Sequence, residues 1–238
     1  LVSRARNAGI LFTPQDVFER RTVAALAEVA VFGDATPVEV LAELPGGGIG
    51  DVPNTPILAQ YLADGVFGRF SQNMVLTLPD GITRAGLVET FDAVLSHHDM
   101  LRARLVRDGD GYRLEVGVPG AVAADTLITE VEVPPGTTGE ELTALAGTAM
   151  DSAVARLDPR TGRMVAGTWL RRPDAADALL LAVHHYVIDG VSWRILIGDL
   201  VLAWAQLSHG QRPALPAVGT SFRRWAHGVR DAAADPAR

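Results

Sequence analysis

Residues Ala178 to Val183 (ALLLAV) form an uninterrupted apolar run that stops at His184-His185-Tyr186-Val187-Ile188-Asp189-Gly190. A short apolar run of this kind reads as a buried strand, which commits the chain to a packed sheet. The two histidines sit at the mouth of that strand, and an acid and a glycine follow them. This places a titratable imidazole where the backbone changes direction, a position suited to proton transfer.

The pattern on either side predicts a mixed α/β architecture, an α+β sandwich. Ser71 to Leu78 alternates as a strand. Thr83 to His98 reads as an amphipathic helix with Leu87, Phe91, Val94 and Leu95 at core spacing. Strands are predicted over Leu101–Arg107, Tyr112–Val118 and Leu127–Val133. A helix opens at Thr137-Thr138 and runs toward Arg156. Met164–Leu170 and Ala178–His184 read as paired strands, and Val191–Leu207 as a long helix. Pro216 to Trp225 reads as a loop leading into a helix, with Trp225 expected to be buried.

The first 32 residues read differently. Leu1 to Ala8 looks like the end of a helix stopped by Gly9. Thr13-Pro14-Gln15-Asp16 is a helix start, with Thr as N-cap and Pro in the first turn, and Thr22 opens another short helix. Such short helices bury little alone. Residues 1–32 are therefore expected to be part of a helical bundle, 33–54 a linker rich in Pro and Gly, and 55–238 a second domain. Leu1 in place of a starting methionine suggests a piece of a longer chain.

The 238 residues are 48% hydrophobic, enough for a sizeable core, and carry a net charge of −7. That balance argues against a broad nucleic-acid surface. The chain has no cysteine, which removes disulfides, thiolate metal sites and a cysteine nucleophile and is compatible with a cytoplasmic location. No apolar stretch approaches the roughly 18 to 20 residues that span a bilayer.

Neighbouring strand residues point to opposite faces, so His184 and His185 cannot easily share a metal, and no metal is expected. The same geometry assigns one imidazole to support the loop and the other to face a cavity. Asp189, just before a helix, can accept backbone hydrogen bonds or pair with an arginine. By themselves, Ser96 to Arg102 read as a cationic helix end and Asp158 to Gly162 as a turn.

Together these segments resemble nonribosomal peptide synthetases. HHYVIDGVSW at 184–193 matches the HHxxxDG signature of the condensation superfamily. HHDMLRARL at 97–105 resembles its earlier histidine–leucine–arginine motif, and LDPRTGRMVAGTW at 157–169 resembles the segment leading into the catalytic strand. Residues 1–32 resemble the C-terminal part of a peptidyl carrier domain. The continuation DGVSWRIL with Trp193, and PAVGTSFRRWA at 216–226, are most like an epimerization domain. A carrier tail upstream also suits an epimerase, though it suits a condensation domain as well.

The resemblance implies one N-terminal lobe of a chloramphenicol-acetyltransferase-like fold, entered by the 4'-phosphopantetheine arm of a carrier domain. The carrier's attachment serine would lie upstream of Leu1, and Ser3 is not assigned that role. The expected partners are a carrier bearing an aminoacyl or peptidyl thioester and the neighbouring synthetase domains, with neither nucleic acid nor membrane. His185 is implied as the acid/base group, with His184, Asp189, Gly190 and Arg102 supporting it. Asp189 is expected to pair with Arg102. An opposing glutamate would come from a second lobe, so this fragment is expected to be inactive in isolation. Peptide-bond formation by a condensation domain, and carrier docking without turnover, remain the alternatives.

Overall fold

A computed structural model describes residues 2, 5, 8–33, 41–65 and 67–234. They divide into two compact units, split between Ala42 and Glu43.

The first unit holds β1 (Ile10–Leu11), α1 (Pro14–Arg20), α2 (Val23–Val29) and β2 (Val31–Phe32). Thr13 and Asp16 form a reciprocal cap: Asp16 N–H donates to the threonine hydroxyl at 3.1 Å, and Thr13 N–H donates to the aspartate at 2.7 Å. Thr22 caps α2 through Ala25 N–H at 3.2 Å. The antiparallel pairing of β1 with β2 was not legible in the sequence. No residue of α2 is buried. The helix end expected over residues 1–8 lies largely outside the described residues, of which Val2 and Ala5 are helical. Gly9, its expected stop, adopts φ 72°.

The second unit runs β3 (Gly50–Val52), α3 (Pro56–Ala63), β4 (Ser71–Thr77), α4 (Arg84–His97), β5 (Ala103–Asp108), β6 (Gly111–Val116), β7 (Ile128–Glu132), α5 (Gly139–Ala155), β8 (Val165–Arg171), β9 (Ala178–His184), α6 (Ser192–Ser208) and α7 (Phe222–Ala233). Its main sheet has the order β4-β9-β8-β7. β7 and β8 are parallel, and α5 supplies the crossover that parallel neighbours require. The remaining pairs in that sheet are antiparallel.

β9 lies inside the sheet and is covered on both faces. Leu179, Leu181 and Val183 join the core containing Phe91, Val94 and Leu95 of α4 and Leu196 and Leu200 of α6. Leu180 and Ala182 face the other way, against Ala149, Ala153 and Val154 of α5. All five strand residues are at most 1% exposed. Two-sided burial removes any reason for alternation, hence the continuous apolar run. Each such leucine contributes roughly 1.5–3 kcal/mol by leaving water.

A second sheet, β3-β6-β5, is antiparallel and feeds Val52, Leu105, Leu114 and Val116 into the same core as Leu181. Its edge strand β3 lies in the stretch expected to be a linker. Residues 43–51 are held by contacts from far along the chain. Ser221 N–H and Oγ donate to the Glu43 carboxylate at 2.6 and 2.8 Å. Arg223 donates to the carbonyls of Pro45 and Gly47 at 3.1 and 2.8 Å. A Pro/Gly-rich segment becomes ordered when its backbone acceptors find such donors.

Trp225 departs from expectation. It is 47% exposed and packs on Phe222 with ring centroids 5.3 Å apart. Ala226, one residue and about 100° further round the helix, is the buried position of α7.

Candidate active site around His185

The pairing of β4 with β9 continues one step beyond the strand, where His185 N–H donates to the Phe70 carbonyl at 2.9 Å. The two imidazoles therefore leave on opposite faces of the sheet. His184 is 0% exposed. Tyr186 N–H donates to its Nδ1 at 3.3 Å, so Nε2 carries the proton and donates to the Phe67 carbonyl, also at 3.3 Å. Burial lowers its pKa below the usual value; the Phe67 carbonyl opposes that shift, and the neighbouring His185 adds to it. His184 is thus a neutral, fully bonded ring that ties the strand end to the preceding loop. Tyr186 packs 4.3 Å from it, with its phenol pushed up to about 12 by burial against an opposing effect of Arg160.

His185 is half-buried. Phe70 stacks on it at 4.8 Å with 17° between the rings. Gln72 lies opposite Val183 in the register, so it is the diagonal neighbour of His185 on the same face. Its amide nitrogen is 2.9 Å from His185 Nε2. Its amide oxygen accepts the Trp193 indole N–H at 2.8 Å. Trp193 enters from the first turn of α6 and is itself buried. Gln72 was not among the residues that the motifs single out. Its signal was a polar residue on the strand face that otherwise carries Phe70, Met74 and Leu76.

His185 lines a cleft of about 350 Å³ together with Ile57, Leu58, Tyr61, Met100 and Ile188. An adjoining cleft of about 280 Å³ shares Met100 and Ile188 and is lined by His97 and His98. The first cleft is apolar apart from a few hydroxyls, His185 and Asp189, and no arginine lines it among the described residues. That lining suits an uncharged acyl arm better than a phosphate.

The expected pairing of Asp189 with Arg102 does not form. Asp189 is exposed and closes the turn that enters α6: its Oδ1 accepts from Val191 N–H at 3.0 Å, Ser192 N–H at 2.7 Å and Ser192 Oγ at 2.6 Å. The Ser192 hydroxyl, then its N–H, holds the carboxyl below the usual range. Arg102 is 3% exposed and lies under the end of α4. It donates to the Leu95 carbonyl, to the Ser96 carbonyl at 2.9 Å, to the Gly117 carbonyl at 3.1 Å and to Asp99 Oδ1 at 2.7 Å. A guanidinium so surrounded is satisfied locally, because α4 ends beside it with unpaired carbonyls. Arg102 thus supports the wall of the adjoining cleft through Asp99 and does not reach the histidine loop.

Gly190 has an ordinary backbone conformation, and a Cβ there would meet nothing within 4 Å. Gly48 contrasts with it: a Cβ there would fall 1.7 Å from Asp99 Oδ2. His97, His98 and Asp199 bring ligand-type atoms within 4.8 Å of one another. His98 Nε2 and Asp199 Oδ2 are already 2.8 Å apart, so these two groups satisfy each other directly.

Comparison with known proteins gives the family of the chain. The model of the condensation-domain family matches residues 67–237. One of the linear gramicidin synthase proteins of Brevibacillus parabrevis is 35% identical over 234 residues, which is 97% of this chain and 3% of that protein. Chondramide synthase cmdD of Chondromyces crocatus is 33% identical over 231 residues, 94% of this chain and 6% of that protein. The epimerization domain from the third module of tyrocidine synthetase B superposes with a TM-score of 0.67 at 27% identity, over 79% of this chain and 42% of that one. The first condensation domain of the CDA synthetase gives 0.62 at 18% identity, over 78% and 46%, a likeness of fold alone. The chain therefore spans a few per cent of these curated relatives and less than half of these solved domains. Its mixed α/β fold is that of the chloramphenicol-acetyltransferase-like domains. No helix among the described residues is long and apolar enough to cross a membrane.

Proposed function

The chain belongs to the condensation-domain family of nonribosomal peptide synthetases, and from that premise we propose that residues 55–238 are the histidine-bearing lobe of an epimerization domain. Its substrate is an L-aminoacyl or peptidyl thioester on the 4'-phosphopantetheine arm of a carrier domain in the cytoplasm. Residues 1–32 are the tail of such a carrier. Their two capped helices are in keeping with that role.

In this reading His185 takes the proton from the substrate Cα. The C–H electron pair moves into the thioester and gives an enolate, and a proton returns to Cα from the opposite face. A thioester acidifies that proton, and a neutral imidazole is a suitable base near pH 7. A planar enolate offers two faces, so a second acid is needed; the resemblance implies a glutamate from the other lobe. Hydrogen-bond donors at the enolate oxygen lower the barrier further. His184 and Asp189 hold the loop that presents His185.

One observation carries the choice of epimerization. Trp193, part of the DGVSWRIL stretch that resembles the epimerase version, reaches His185 through a single intervening side chain, Gln72. The test loads the carrier of a complete synthetase with an L-aminoacyl thioester and withholds any acceptor. D-residue formation, lost in His185→Ala with the fold retained, is the expected result. Turnover only when an acceptor amine is supplied would establish peptide-bond formation instead.

A further inference from the structure

We propose that Gln72, oriented by Trp193, is a positioning residue that holds resting His185 as the Nδ1–H tautomer and occupies its Nε2 lone pair. The functional weight of this proposal rests on the reading of His185 as the acid/base group.

The donors and acceptors on either side of Gln72 fix the tautomer. An indole N–H can only donate. At 2.8 Å from Gln72 it needs the amide oxygen, not the amide nitrogen. This settles which way the Gln72 amide faces, and its NH₂ is left 2.9 Å from His185 Nε2. An amide nitrogen does not accept hydrogen bonds, so it must be the donor and Nε2 the acceptor. A neutral imidazole carries one proton, which then resides on Nδ1. The flipped amide would set N–H against N–H at Trp193, which is 6% exposed and has little access to water as an alternative partner. Phe70, stacked on the imidazole, limits its turning away from Gln72.

The arrangement has a chemical consequence. Nε2 of His185 can receive a proton only after the Gln72 amide has moved off it. Any acceptor brought into the cleft within reach of that amide competes for its N–H. A thioester carbonyl is such an acceptor, and its arrival would uncover the base and supply a donor to the oxygen on which enolate charge develops.

The test uses the chain as it stands, without any reaction. Imidazole ¹⁵N NMR distinguishes the proton-bearing nitrogen from the bare one, and His185→Gln identifies the His185 signals by their loss. Wild type should show a single neutral His185 species with the proton on Nδ1. Gln72→Glu presents an acceptor only, so at a pH where the ring is still neutral the proton should move to Nε2. Trp193→Phe frees the amide to turn, and both tautomers should appear. A wild-type His185 with its proton on Nε2 overturns the proposal even if neither variant folds. A neutral His185 with a bare Nε2 and its proton still on Nδ1 in Gln72→Glu overturns the role of Gln72. A single Nδ1–H form retained in Trp193→Phe overturns that of Trp193. The tautomer is read independently of catalysis, so His185→Ala remaining active in the complete synthetase would remove the functional reading without touching this result.

Discussion

The chain contains two His-His pairs, and they differ in how the hydrogen bond at Nε2 runs. At the end of α4, His98 Nε2 meets a carboxylate, Asp199, at 2.8 Å. A carboxylate only accepts, so the proton sits on His98 Nε2, and the contact joins α4 to α6 as structure. At the end of β9, His185 Nε2 meets an amide nitrogen at 2.9 Å. There the imidazole is the acceptor, and its lone pair is covered by that amide beside a cleft. In each pair one ring is lowered in pKa by burial, His98 and His184 respectively. The same dipeptide therefore serves as a tie in one place and a candidate base in the other, and the partner atom decides which.

The largest expected effect breaks that comparison at its functional end. In a complete synthetase His185→Ala should lower D-residue formation by about 10²–10⁴-fold, the usual weight of a general acid/base. His98→Gln should leave turnover within a few-fold and act on stability instead. Equal loss of turnover in both variants would show that the two pairs are not distinct in kind.

Arg102→Met should destabilise the second unit by about 3 kcal/mol. It strands Asp99 and the carbonyls of Leu95, Ser96 and Gly117; the low end of the range applies because Asp99 is partly solvated. Urea unfolding measures it, and a change below about 1 kcal/mol would contradict the assignment. Gly48→Ala should cost about 1–3 kcal/mol, because its Cβ displaces the Asp99 carboxylate that Arg102 holds. In an Arg102→Met background most of that cost should vanish, since the geometry at Asp99 is already lost.

The pH dependence sharpens the comparison at its structural end. His184 and His98 have folded-state pKa values lowered from 6.5 by burial. Well above pH 6.5 both rings are neutral whether folded or unfolded, and their contribution is constant. As pH falls through 6.5 the unfolded chain takes up protons that the folded chain refuses, so stability drops. Stability should fall between pH 7.5 and 5.5, with His184→Gln flattening part of the slope. Greater stability at the lower pH would be inconsistent with neutral buried rings.

Asp189→Ala should have the smallest effect, about 0.5–1 kcal/mol, as the loss of exposed turn hydrogen bonds at the entrance of α6. Combined with Arg102→Met its cost should simply add, because the two residues belong to separate networks. A coupling above about 1 kcal/mol would restore the expected pair.

The main sheet was legible because its interior strand is buried on both faces and its helices bury one face each. Leu87, Phe91, Val94 and Leu95 lie where periodicity put them, all at most 3% exposed. Local capping was legible for a different reason: Thr13 and Asp16 interact three residues apart. β3 was not legible. It is three residues long and depends on β6 and on Arg223, more than 60 and 170 residues away. Trp225 was misread because an aromatic residue on an amphipathic helix is placed by phase, and Ala226 holds the inner position.

By itself the sequence determined the buried strand, the opposite facing of His184 and His185, and, through its motifs, the family. Strand alternation is a property of the backbone, and two-sided burial leaves its mark in residue order. Only the tertiary structure decided what each polar group meets. It sent Arg102 to the end of α4, gave Asp189 to α6, and laid Gln72 between Trp193 and His185. The two contacts of Gln72 cross more than 100 residues, whereas Arg102 and Asp189 bond to neighbours a few residues away instead of to each other, and the packing of the elements made these choices. No spacing along the chain records them.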